Sequence, residues 1–116
     1  MKILIVDDSE DARFCLREQL QVAGHDVVAE AAGLDETLEA YRKARPHCVM
    51  LDMTLGEEDG IAVLKALRKT DPNARVIVIS ANEMEALRRE ALDAGAVEYL
   101  VKPIDESRLM TLLGQE

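Results

Sequence analysis

Tryptophan is absent, phenylalanine occurs once and tyrosine twice, so aromatic residues make up only 3% of the chain. The stacking platforms on which single-stranded nucleic acid is held are therefore missing. Positive charge is also scarce: 14 Lys plus Arg stand against 23 Asp plus Glu, for a formal net charge of -9. Such a surface repels phosphate backbones and anionic membranes, which argues against direct contact with either. No apolar run approaches the roughly 20 residues that span a bilayer. The N-terminal MKILIVDDSE runs straight into acids, without the longer apolar segment and cleavage site of a secretory signal. A cytoplasmic location is the expectation. Cysteine is limited to Cys15 and Cys48, with no C-x-x-C spacing, and in a reducing compartment both read as small buried hydrophobes. A zinc site joining them to His25 and His47 lacks the close paired spacings of structural zinc.

What is present suits one domain over residues 1–116, with 48% hydrophobic residues to build a core. Five short segments rich in Val, Ile and Leu read as strands: Ile3 to Val6, Asp26 to Ala29, Cys48 to Leu51, Val76 to Ile79 and Tyr99 to Val101. The first, third and fourth are continuously apolar, as central parallel strands covered on both faces must be. Helical spacing fills the intervals. Ala12, Cys15, Leu16, Leu20 and Ala23 form one apolar face, Leu34, Leu38 and Tyr41 a second, and Ile61, Leu64 and Leu67 a third. Leu87, Ala91 and Ala94 suggest a fourth helix, and Leu109, Leu112 and Leu113 a fifth. Ser9 suits an N-cap, Gly24 and Gly95 suit C-caps, and Pro72 follows the third helix. Strict alternation of strand and helix predicts a parallel α/β sheet, doubly wound and of flavodoxin-like size, with ligands bound beyond the carboxyl ends of the strands.

The residues following the strands are the informative ones. Asp7 and Asp8 follow the first, Asp52 the third, Ser80 the fourth, and Lys102 with Pro103 the fifth. If the first, third and fourth strands are neighbours, three carboxylates converge. Two charges 4 Å apart cost ~1 kcal/mol in water and ~4 kcal/mol at an effective dielectric of 20. The cluster must therefore protonate, bind a cation or destabilise the fold. All-oxygen ligands select a hard ion, and a shallow hydrated site suits Mg²⁺ better than Ca²⁺. Helix N-capping by two of the acids is the plainer alternative.

Lys102 supplies the cation, and Ser80 a hydroxyl able to donate and accept. A phosphoryl group would satisfy metal, ammonium and hydroxyl together. Asp52 is then the natural nucleophile, forming an acyl phosphate. Taken singly, Lys102 reads equally as a solvated strand-end lysine and Ser80 as a helix cap. Glu57, Glu58 and Asp59 read as a solvated acidic loop, and Arg88 with Arg89 as a solvated helix face.

The segments ILIVDDS (3–9), LDMTLGEEDG (51–60), VIVISA (76–81) and AGAVEYLVKP (94–103) resemble the receiver domains of two-component response regulators, most closely the small single-domain type. The resemblance spans essentially the whole chain and implies a five-stranded sheet in the order 2-1-3-4-5. It implies that Asp52 accepts a phosphoryl group from a histidine kinase or phosphotransfer protein. Asp7 and Asp8 would hold Mg²⁺ together with Asp52 and the backbone carbonyl of Thr54. Ser80 would turn toward the phosphoryl group, Lys102 would pair with it, and Tyr99 would move inward as the switch aromatic. The Lys102–Pro103 peptide would be cis. The face of the fourth helix, fifth strand and fifth helix, with Met84, Tyr99, Leu109 and Met110, would then bind a downstream protein. The protein would have no separate substrate, and would be a monomer or a weak phosphorylation-dependent dimer.

The chain departs from the family pattern at Gly56, commonly proline, at Ile104, commonly phenylalanine, and in a short last helix. Thr54 and Asn82 stand where phosphoryl lifetime varies. A longer parent with an output domain and a phosphorylation-independent binding module stay as alternatives. So do two other classes: a phosphatase of the haloacid dehalogenase type, for which the second aspartate after Asp52 and a cap domain are missing, and a flavodoxin-like electron carrier, whose flavin phosphate Asp7 and Asp8 would repel.

Overall fold

The structure, a computed structural model, describes residues 1–56 and 58–113. Five strands form one parallel sheet: β1 (Lys2–Val6), β2 (Asp26–Ala31), β3 (Cys48–Asp52), β4 (Val76–Ser80) and β5 (Glu98–Val101). Their order is β2-β1-β3-β4-β5, as the family resemblance implies, and each strand before β5 leads through a helix to a strand parallel to it, β2 crossing past β1 to reach β3. The helices are α1 (Glu10–Val22), α2 (Leu34–Ala44), α3 (Gly60–Thr70), α4 (Glu85–Asp93) and α5 (Glu106–Leu113).

Strand alternation divides the interior into two layers. Leu4, Val6, Val49, Leu51, Val76 and Val78 point to one face, where α2, α3 and α4 cover them with Leu38, Leu64, Leu67 and Ala91. Ile3, Ile5, Met50, Ile77 and Ile79 point to the other, under Leu16 and Leu20 of α1 and Leu109 and Leu113 of α5. Every residue of β3 and β4 is buried, which explains why those segments carry no polar alternation.

Local chemistry sets the helix ends. The Ser9 hydroxyl accepts the Ala12 N–H at 3.2 Å, and the Asp59 carboxylate accepts the Ile61 N–H at 2.9 Å. Gly24 and Gly95 follow α1 and α4 with positive φ, in the expected C-terminal positions. The Arg75 guanidinium donates to the Leu112 carbonyl at 2.5 Å, tying the last turn of α5 to the start of β4.

Several expectations are corrected. β2 runs two residues further than Asp26 to Ala29, because Glu30 and Ala31 continue to pair with Ile5 and Val6. Cys15 and Ala23 are exposed rather than on the buried face of α1, since only the i, i+4 stripe of Ala12, Leu16 and Leu20 turns toward the sheet. Glu58 and Asp59 are not merely solvated: Asp59 caps α3, and Glu58 accepts the Leu34 N–H at the start of α2 at 3.0 Å. Glu57 lies outside the described residues. Arg88 is likewise engaged, donating to the Tyr99 carbonyl and to Glu98, each at 3.3 Å. No helix among the described residues is long and apolar enough to cross a membrane.

Candidate functional site

Strand order brings the residues beyond β1, β3, β4 and β5 to one end of the sheet. Asp7 leaves β1 with its N–H donated to the Ala31 carbonyl at 3.0 Å, and its Oδ1 accepts the Ser9 N–H at 2.9 Å. Asp52 closes β3; its Oδ1 accepts the Thr54 N–H at 3.0 Å, which leaves Oδ2 facing the cleft. There the Lys102 ammonium stands 3.2 Å from Asp52 Oδ2 and 3.7 Å from Asp7 Oδ2. Asp8, exposed, completes the cluster: one carboxylate oxygen from each of Asp7, Asp8 and Asp52 lies within 4.8 Å of the others.

One ammonium against three carboxylates leaves the site short of positive charge. Burial raises the Asp7 pKa from its ordinary 3.8 to about 6, with the Asp52 carboxylate pushing the same way and the Ser9 N–H and Lys102 opposing. A cation supplied from solution relieves that excess. The donor set, carboxylate oxygens without thiol or imidazole, fits a hard divalent ion.

The loop after Asp52 is a tight hairpin in which Thr54–Leu55 pairs antiparallel with Glu58–Asp59. Gly56 has φ +62°, a conformation closed to proline, whose ring holds φ near -65°. A Cβ on Gly56 would lie 3.3 Å from Asp8 Oδ2, so the turn passes close over the acids. The hairpin folds back at Gly60, where a Cβ would stand 2.5 Å from the Met53 carbonyl oxygen; only glycine fits.

On the other flank, Ser80 is buried at the end of β4, its Oγ accepting the Asn82 N–H at 3.0 Å. The Lys102 N–H donates to the Ser80 carbonyl at 2.8 Å, fixing β5 beside β4. A groove lined by Thr54, Ser80, Ala81, Asn82 and Glu83 opens beside the acids. The Tyr99 ring is already inward, 3% exposed, with its hydroxyl donated to the Asn82 carbonyl at 2.7 Å. The Lys102–Pro103 peptide is cis.

The structure thus gathers Asp7, Asp8, Asp52 and Lys102 into one cluster, with Thr54 and Ser80 beside it and Tyr99 linked through Asn82. The expected docking face is altered. Leu109 is fully buried and Tyr99 nearly so, because both belong to the core layers, while Met84 stays 59% exposed and Met110 packs partly against the core. Sequence reasoning also passed over a network behind the acids. Arg13 and Arg17 of α1 both pair with Glu30 of β2, and Arg13 Nη1 donates to the Asp7 carbonyl at 2.5 Å. Two arginines four residues apart, with a lone acid near the end of the second segment, were the available signal.

The model of the response regulator receiver domain matches residues 3–114. The chain is 39% identical to the chemotaxis protein CheY of Thermotoga maritima over 114 residues, covering 98% of this chain and 95% of that one. It is 38% identical over 104 residues to sporulation initiation phosphotransferase F of Bacillus subtilis, covering 90% and 83%. A CheY of Borrelia burgdorferi, solved in a CheX-CheY-BeF3-Mg²⁺ complex, superposes with a TM-score of 0.90 at 34% identity, covering 97% of this chain and 89% of that one. Acids after β1, an acid closing β3 and a lysine after β5 thus sit on a matching frame, and the chain belongs to the response regulator receiver domain family.

Proposed function

We propose that the chain is a phosphorylation-controlled signalling switch in which Asp52 receives a phosphoryl group from the phosphohistidine of a kinase or phosphotransfer protein. The observation that carries this reading is the placement of Asp52 Oδ2 in the cleft, 3.2 Å from the Lys102 ammonium, while Oδ1 is held by the Thr54 N–H. One oxygen is anchored by the backbone, and the other, paired with the Lys102 ammonium, faces the cleft for attack. Asp52 forms the new P–O bond, the P–N bond to the donor imidazole breaks, and that imidazole leaves with the electron pair and takes up a proton.

Asp7, Asp8, Asp52 and the Thr54 carbonyl would hold Mg²⁺, which neutralises charge on the transferring oxygens when bound. Lys102 offsets charge on the same oxygens, and Ser80 donates its hydroxyl after turning from the Asn82 N–H. Release of that contact frees the loop whose Asn82 carbonyl holds Tyr99. The loop and β5 then carry the change to the face of α4, β5 and α5, where Met84 and the partly exposed Met110 would meet a downstream protein. The likeness to a relative solved with CheX, BeF3 and Mg²⁺ supports both the metal and a partner-binding face.

In this reading residues 1–116 act as one cytoplasmic receiver unit, with no substrate beyond its phosphodonor, as a monomer or a weak phosphorylation-dependent dimer. The acidic balance favours protein partners over nucleic acid or membrane. The test is intact mass after incubation with acetyl phosphate and Mg²⁺, beside Asp52→Asn. A labile gain of one phosphoryl group in the wild type alone, abolished by chelation, is expected. Absence of the gain in a folded, metal-binding protein would replace this reading with a phosphorylation-independent binding module.

A further inference from the structure

We infer that Arg13, held by Glu30, is a positioning residue for the metal acids, an inference that rests on the Mg²⁺-dependent reading above. Asp8 is the least supported member of the cluster: it is exposed, and no side chain or backbone N–H among the described residues fixes its carboxylate by a hydrogen bond. Its direction therefore follows from the peptide joining Asp7 to Asp8. Arg13 grips that peptide, with Nη1 donated to the Asp7 carbonyl at 2.5 Å. The Asp7 N–H is fixed from β2 through the Ala31 carbonyl at 3.0 Å. Both sides of Asp7 are thus tied down, one by α1 and one by β2.

Arg13 is itself oriented. Its Nε donates to Glu30 Oε1 at 3.1 Å, and Arg17 Nη1 takes the other oxygen of the same carboxylate. The Arg13 side chain is 17% exposed and that of Glu30 27% exposed, so water competes weakly for these bonds. The planar guanidinium offers donors at fixed angles and spans two acceptors, which the single ammonium of a lysine cannot do with the same geometry. Partners behind a metal's direct ligands commonly contribute 10- to 100-fold to metal affinity by fixing ligand direction.

Electrostatics makes the claim decidable, because the two roles open to Arg13 predict opposite signs. As a mere nearby charge it would repel Mg²⁺, and Arg13→Gln would tighten binding. As a positioning residue it helps, and Arg13→Gln weakens binding. Mg²⁺ is titrated calorimetrically into wild type, Arg13→Gln, Arg13→Lys and Glu30→Gln, with acetyl phosphate labelling rates followed against Mg²⁺ concentration and urea midpoints taken in chelator. We expect about tenfold weaker Mg²⁺ binding in Arg13→Gln, a loss also in Arg13→Lys, and a smaller loss in Glu30→Gln, whose amide keeps only one of the two acceptor oxygens that Arg13 and Arg17 use. The labelling rate at saturating Mg²⁺ should return to the wild-type value, since Arg13 acts on the ligands and not on Asp52. Mg²⁺ affinity at or above wild type in Arg13→Gln overturns the inference, as does a lower saturating rate with unchanged affinity; if Arg13→Gln fails to fold, Arg13→Lys decides by the same criterion. Wild-type protein that neither binds Mg²⁺ nor takes up phosphoryl would instead defeat the underlying functional reading.

Discussion

Two charge clusters on this molecule are built as opposites. At the carboxyl ends of the strands one cation, Lys102, stands between Asp7 and Asp52, with Asp8 adjacent. On β5 one anion, Glu98, stands between Arg88 of α4 at 3.3 Å and Arg108 of α5 at 2.7 Å. The second is supplied in full: each carboxylate oxygen of Glu98 has a guanidinium, and the arginines reach water. The first has two buried acids, Asp7 and Asp52, and is short of positive charge. A cluster that is complete holds elements together, here α4 and α5 across β5, whereas an incomplete one is poised to take up an ion.

Neutralising one acid tests that contrast at its widest. In the metal-free protein the raised Asp7 pKa means that the folded state holds a proton between pH 4 and 6 that the unfolded chain releases. Stability therefore falls as pH rises through that window, by at most about 3 kcal/mol. Urea unfolding in chelator should show this slope, and Asp7→Asn should flatten it and leave the variant more stable than wild type at pH 7. A flat wild-type profile would mean that Lys102 alone satisfies the acids. Added Mg²⁺ should restore stability at pH 7 and do little at pH 5, where Asp7 is protonated; melting temperatures with and without the ion measure this.

Tyr99→Phe is the next largest change. It deletes the bond to the Asn82 carbonyl inside an otherwise apolar setting and should cost about 1 kcal/mol, with the acetyl phosphate labelling rate unchanged. The smallest effect is expected at the complete cluster. Glu98→Gln should lower stability by about 0.5 kcal/mol, a loss that shrinks as salt is added, without touching labelling. A larger loss there than in Tyr99→Phe would show that the clip between α4 and α5 matters more than its exposure suggests.

The strands were legible because β3 and β4 are buried on both faces, and apolar runs such as VML and VIVI, alternating with helical patterns, suit central parallel strands. Acids after β1 and β3 and a lysine after β5 then had to meet, whatever the loops did. Edges were harder to read. Glu30 lies on β2, an edge strand with one wet flank, so its polarity masked two further paired residues. The same ambiguity put Leu109 on a surface: an eight-residue helix shows too few turns for its inward stripe to be told from its outward one. Arg88 and Glu58 were read as solvated because long polar side chains can find backbone partners far away in sequence, which periodicity does not encode.

The layer formed by Ile3, Ile5, Leu16 and Leu20 with Leu109 and Leu113 joins the beginning of the described chain to its last helix. During synthesis α1 covers only part of that side, and the rest stays open until residues 106–113 have left the ribosome, while the opposite layer, completed by α4, is already closed. The nascent chain thus passes through a stage in which Ile77, Ile79 and Leu100 face solvent, and a stop codon shortly after Pro103 would make that exposed stage permanent and a target for proteolytic clearance.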